Sequence, residues 1–127
     1  MTDHQDPQPS GQGLDHSTPV RQLVDAVAAF REARDWARFH SPKNLSMAIA
    51  IEAAELMECF QWIDGEKSRA LLEQPGPRAA IAAELADVLT YCLSLASIAG
   101  FDVTTIIREK MAANERKYPV ERYRGRF

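Results

Sequence analysis

The sequence predicts an all-α protein, a four-helix-bundle-like chain that assembles as an oligomer. Three observations carry this. Apolar residues recur at three- and four-residue spacing through most of residues 18–127, no useful length of chain alternates apolar with polar residues, and the breaks between periodic segments are short. A chain of 127 residues makes one domain, and its 46% hydrophobic and 26% charged content places it among soluble globular proteins.

Residues 1–17 read as a disordered leader outside the domain of residues 18–127. They are acidic and rich in Pro and Gly, so they bury too little apolar surface to offset the entropy of ordering, and they lack the charged-then-apolar pattern of a secretory signal. His4 and His16 fall there and are assigned no function. The first helix opens after Ser17-Thr18-Pro19, a hydroxyl cap followed by a proline suited to the first turn. Val20, Leu23, Val24, Val27 and Phe30 form its apolar face, opposite Arg21, Asp25 and Arg31, and it is expected to end near Trp36. Residues 38–44 form a loop in which Ser41 or Asn44 caps the second helix. That helix is expected from Leu45 to Trp62, stopped by Asp64-Gly65.

A short helix is expected over residues 66–73, and Gln74-Pro75-Gly76-Pro77 reads as a break. The third helix then runs from Arg78 to Ala99 and closes on Gly100. Its second half is apolar on nearly all sides, more than one small bundle can cover, which points to an interface between copies of the chain. Asp102 caps a fourth helix, Val103 to Lys117, ended by Pro119. The longest apolar run, Val88 to Phe101, is too short to span a bilayer and contains Thr90, Ser94 and Ser97, so no membrane partner is expected. Cys59 and Cys92 lie in apolar segments without a CxxC or a His partner and read as reduced core residues, which agrees with a cytoplasmic location.

The formal net charge of −3 is unevenly spread: residues 108–127 carry a net +4 and the preceding chain −7. An acidic body makes a poor nucleic-acid footprint, whereas a basic end beside acids suits a metal site with phosphate held close by.

Two acidic pairs give the chemistry. Glu52 and Glu55 stand in MAIAIEAAELMECF, and Glu84 and Asp87 in IAAELADVLTYCLS, both otherwise almost wholly apolar. Residues three apart share one helix face, so each pair aims two carboxylates one way, and two such helices facing each other converge four acids. Their mutual repulsion is relieved by a divalent cation, and a donor set of oxygens alone suits Mg²⁺, with Mn²⁺ as the alternative, shared with substrate phosphates. No Lys or Arg stands four residues away to pair with these acids, which sets them apart from an ordinary solvated face. Glu58 continues the first stripe as an exposed or supporting group. The Glu-x-x-His of di-iron bundles is absent, and with only His40 in the folded region no zinc hydrolase or nucleophilic triad is supported. Tyr91 shares the face of Glu84 and Asp87 one turn on. Trp36, Phe39, His40 and Trp62 flank the acids in sequence and offer aromatic surface to a planar base.

The segment ARDWARFHSPKNLSMAIAIEAAELMECFQW, followed by the Glu84 to Tyr91 segment and by KMAANERKYP, closely resembles the MazG-like nucleotide pyrophosphohydrolases, in particular their dCTP pyrophosphatase branch. The match covers about residues 20–126 and combines ExxE, a gap of 28 residues, ExxD and a terminal KYP. The resemblance implies an all-α dimer or tetramer that hydrolyses nucleoside triphosphates with Mg²⁺ bound by Glu52, Glu55, Glu84 and Asp87. It implies a nucleotide pocket lined by Trp36 through His40 with Trp62 and Tyr91, and phosphate contacts from Asn114 and Lys117. One departure concerns base preference: animal dCTP enzymes carry a His on the first helix where this chain has Val27. The expected reaction is hydrolysis of a (deoxy)nucleoside triphosphate, dCTP or a modified dCTP, between the α and β phosphates, with Glu52 or Glu55 as proton acceptor. The alternative is a non-catalytic helical oligomerisation module or a regulatory nucleotide-binding subunit.

Overall fold

The computed structural model describes residues 13–126, and all of the regular structure within them is helical. Of the expected leader, residues 1–12, with His4, lie outside the described residues. Residues 14–16 form a 3₁₀ turn closed by Ser17, on which Leu14 stays exposed.

Helix α1, Val20–Ala33, stops three residues before the expected end. Asp35 takes a left-handed φ of 53°, and the Trp36 amide reaches back to the Arg31 carbonyl at 3.1 Å while that of Asp35 donates to Glu32 at 3.0 Å. This closing turn normally takes glycine or asparagine. Here Arg38 holds Asp35 in place, donating to its Oδ2 at 2.6 Å. A 3₁₀ turn, Ala37–Phe39, follows.

Ser41 caps helix α2, Pro42–Glu58, its Oγ accepting from the Asn44 amide at 3.1 Å. The Asn44 side chain turns back to donate to the Phe39 carbonyl at 3.0 Å, tying the aromatic loop to the start of the helix. The helix begins at Pro42 because proline is tolerated in a first turn. It gives way to turns at Cys59, so Trp62 lies beyond it rather than within it. Asp64 caps the short α3, Gly65–Leu71, accepting from Lys67 at 2.8 Å.

Helix α4, Pro75–Ala99, is 25 residues long. It starts where the sequence suggested a break, because Pro75 and Pro77 both fall in a first turn whose amides lack partners in any case. Gly100, at φ 71°, ends it, with the Phe101 amide on the Ala96 carbonyl at 3.0 Å. Asp102 caps α5, Val103–Lys117, accepting from the Thr105 amide at 3.1 Å and its hydroxyl at 2.6 Å. It also faces Arg21 at 3.8 Å, which links the starts of α1 and α5. A last short helix, α6, Val120–Tyr123, was not foreseen; it folds Tyr123 edge-on against Tyr118, ring centres 5.1 Å apart.

The main packings set α2 and α1 against α4. Val24, Leu45, Ile81 and Ala96 form the buried apolar core, with Arg31 and Ser94 buried beside them. Arg31, which the sequence pattern put on the solvent side of the first helix, is therefore inside. Only Ile81, Ser94 and Ala96 of α4 are buried in the single chain. Cys92 is exposed and Cys59 only half-buried, so in this chain alone neither thiol is the core residue that the sequence reading expects.

By length and composition α4 is long and apolar enough to cross a bilayer, which corrects the sequence estimate made from its second half. Glu84 and Asp87 sit near its midpoint, where a bilayer would strand both carboxylates in hydrocarbon.

Candidate metal centre and adjoining cavity

Because α2 packs along α4, the Glu52/Glu55 face of one meets the Glu84/Asp87 face of the other. Glu52, Glu55 and Glu84 each bring one carboxylate oxygen to a common point, all three within 4.8 Å of one another. Glu52 and Glu84 are half-buried and Glu55 is exposed. Each half-buried acid has one oxygen sealed from solvent without a hydrogen-bond partner, Oε2 of Glu52 and Oε2 of Glu84.

Both of these acids ionise less readily than ordinary glutamates. For Glu52 the leading cause is loss of hydration, followed by hydrogen bonding with the neighbouring Glu55 carboxyl and the charges of Glu55, Asp87 and Glu84. For Glu84 hydration loss again leads, followed by the charges of Glu55 and Asp87, hydrogen bonding with the Glu55 carboxyl and the charge of Glu58. Asp87 is thus within electrostatic reach of the other acids, although its oxygens stand outside the tight trio. Glu58 is exposed and lends its charge to the same spot.

Buried carboxylate oxygens without donors, with no Lys or Arg of the described residues within ion-pair distance, are expensive in a protein alone. The donor set fits a hard divalent ion: Glu52, Glu55 and Glu84 would hold it directly, with Asp87 alongside.

A cavity of about 210 Å³ opens next to the acids. Asp87 belongs to its wall, so acids and cavity are continuous. Trp36, His40 and Tyr91 line it as a chain of tilted rings, Trp36 to His40 and His40 to Tyr91 each 6.2 Å between centres. Phe30 meets Trp36 edge-on at 5.7 Å, and the Arg34 guanidinium lies 3.6 Å over the Phe30 ring, which stiffens that wall. Nδ1 of His40 is buried without a partner.

Four lining residues, Phe30, Arg31, Thr90 and Ser94, were not picked out by sequence reasoning as site residues. Thr90 and Ser94 occupy α4 positions three and seven after Asp87, so the stripe of Asp87, Tyr91 and Ser94 carried the signal. Val27, noted for its departure from the animal enzymes, also lines the cavity. Phe39 and Trp62 do not. Phe39 is 59% exposed beside Arg38, and Trp62 is 87% exposed. Asn114 is half-buried and Lys117 exposed near the end of α5, the Lys117 ammonium 5.2 Å from the Tyr118 ring centre; neither lines the cavity.

A family model described as MazG-like matches residues 47–126, a span that holds all four acids, Trp62, Tyr91, Asn114 and Lys117. The chain belongs to the MazG-like family. Among relatives of this MazG-like chain, dCTP pyrophosphatase 1 of Bos taurus is 41% identical over 98 residues, which cover 77% of this chain and 58% of the relative. Its counterpart in Homo sapiens is 42% identical, over 72% of this chain and 54% of the relative. The chain therefore spans a little over half the length of these curated relatives. The crystal structure of a pyrophosphatase from Archaeoglobus fulgidus is similar at a TM-score of 0.73 and 40% identity, covering 79% of this chain and 92% of that one.

Proposed function

We propose that this protein hydrolyses a (deoxy)nucleoside triphosphate, with dCTP or a modified dCTP preferred, to the monophosphate and pyrophosphate. The observation that carries this reading is the continuity of a three-glutamate cluster with an aromatic-walled cavity, joined at Asp87. The cluster suits a cation and phosphates, and the cavity suits a planar base. The names of the relatives, dCTP pyrophosphatase 1 and a pyrophosphatase, point the same way.

Glu52, Glu55, Glu84 and Asp87 would hold Mg²⁺, with Mn²⁺ as a substitute. A bound cation would neutralise charge at the phosphate oxygens and acidify the attacking water. The protein places the base against Trp36, His40 and Tyr91, so the acids receive the α and β phosphates. Glu52 or Glu55 accepts the proton of the water, whose oxygen ends on one side of the cleaved α–β bridge. Loss of the bridge releases the monophosphate and pyrophosphate. Phe39 and Trp62 offer further stacking surface outside the cavity, and Asn114 and Lys117 are assigned to the phosphates.

The working protein is a homo-oligomer, a dimer or tetramer. Exposed apolar pairs one turn apart support this on three helices: Met47 and Ile51, Leu85 and Leu89, Ile107 and Met111. We place the enzyme in the cytoplasm, acting on the nucleotide pool, without nucleic-acid or membrane partners.

The test is pyrophosphate release from a panel of nucleoside triphosphates, with Mg²⁺ and with chelator. Metal-dependent formation of dCMP and pyrophosphate in equal amounts supports the reading. Nucleotide binding without turnover would favour the regulatory module instead.

A further inference from the structure

Arg31 is 7% exposed, and no carboxylate of the described residues lies within ion-pair distance of it. A guanidinium inside a protein without a counter-charge is costly unless its donors are used. Its Nη1 is used: it donates to the Ser94 hydroxyl at 3.0 Å and the Ser94 carbonyl at 3.4 Å. Its Nε is buried with no partner. Two bonds to one residue hold one arm of the planar fork and leave the Nε–Nη2 edge uncommitted; Nη2 is not sealed, whereas Nε is covered in the free protein, so its use by a base requires the guanidinium to turn toward the cavity.

Both residues of this pair line the cavity that adjoins the acids. Asp87 and Ser94 are seven residues apart on α4, about 10 Å along its axis. Asp87 marks the phosphate end, Tyr91 lies between, and Arg31 with Ser94 marks the far end. That separation suits a nucleoside whose triphosphate is at the acids and whose base edge reaches the guanidinium. Of the other cavity walls near Arg31, Val27 and Phe30 are apolar and the Thr90 hydroxyl is committed to the Ala86 carbonyl at 2.8 Å, so none offers the base a free side-chain donor.

We propose that Arg31, oriented by Ser94, is the specificity-determining residue of the pocket and reads a base that presents two adjacent hydrogen-bond acceptors. Among pyrimidines this is cytosine, whose O2 and N3 both accept. Thymine and uracil place an N3–H donor there, against a group that only donates. The inference rests on the proposed nucleotide reaction and adds the group that selects its base; Ser94 is a positioning residue acting through Arg31.

The experiment compares kcat/KM for dCTP and dTTP in the parent, Arg31→Met and Ser94→Ala. The dCTP-to-dTTP ratio is expected to fall roughly 5- to 150-fold in Arg31→Met, the range for a bidentate base contact. Arg31→Lys, which lacks the fork, is expected to restore little of it. In Ser94→Ala the KM for dCTP is expected to rise roughly 3- to 10-fold with kcat little changed. An unchanged ratio in Arg31→Met overturns the proposal; if that variant does not fold, an unchanged KM in Ser94→Ala overturns it. Calorimetric binding of dCMP and dTMP separates the two readings, since it needs no turnover. A parent that hydrolyses nothing yet binds dCMP over dTMP through Arg31 contradicts the proposed reaction and leaves the base reader standing. Equal binding of dCMP and dTMP by the parent overturns the base reader even where hydrolysis occurs.

Discussion

Glu52 and Glu84 each keep one carboxylate oxygen sealed and unpartnered, and this fixes how the metal-free protein responds to pH. Both are harder to ionise folded than unfolded, so above the ordinary glutamate value of 4.5 the native state holds more protons than the unfolded chain. Their stabilising contribution is complete below that value and is lost as pH rises through the raised native value. With chelator present, Glu52→Gln and the parent should therefore melt together at low pH, and the variant should melt increasingly higher as pH rises. Melting curves across pH read this directly; a constant difference would remove the repulsive cluster from the account. Glu55→Gln relieves repulsion without emptying the site of acids. It should lower turnover by at least about a hundredfold while leaving the chelated protein no less stable. The acids were legible in the sequence because they stand alone in apolar segments at a spacing of three. Arg31 was not, because the pattern of α1 put it opposite the apolar face, and only the approach of Ser94 from α4 reveals that it is buried.

At the scale of the element, the helices were legible and their ends were not. Ser41 and Asp102 cap as the sequence allows, and Gly100 closes α4 in the left-handed conformation it favours. Pro75 and Pro77 misled, since the same residue that breaks a helix interior starts one comfortably. At the end of α1 the left-handed position is filled by Asp35, whose type gives little warning and whose conformation depends on its partner Arg38. The small core concentrates risk on a few side chains. Leu45, 1% exposed at the start of α2, should cost about 2–5 kcal/mol when replaced by Ala, and Ser41→Ala about 1 kcal/mol. Denaturant titration gives both values. A Leu45→Ala loss well under 1 kcal/mol would mean that α2 is not anchored on α4 there.

For the whole molecule, α4 binds the account together: it carries two of the four acids, one wall of the cavity and an apolar surface that a single chain leaves open. Covering Leu85 or Leu89 is worth about 1.5–3 kcal/mol each, enough to drive association when several such residues are covered together. Leu89→Glu should therefore shift the protein toward monomer in sedimentation at micromolar concentration, and a parent already monomeric there would contradict the assembly. The apolar surface that a single chain leaves open was legible from the all-round apolar run. The exposed positions of Phe39 and Trp62 were not, because both lie outside α2, in the turns before and after it, where sequence proximity to the acids does not set which way a side chain faces. In the proposed reading the same four acids would also set the metal response: a cation at about 100 times its Kd would add about 2.7 kcal/mol to the native state. The most direct measurement of the central claim is the product balance from dCTP, with Mg²⁺ and with chelator, for the parent and Glu55→Gln. The expected result is equal dCMP and pyrophosphate from the parent only when metal is present, and almost none from the variant. Release of orthophosphate, or the same yield with chelator, would contradict it.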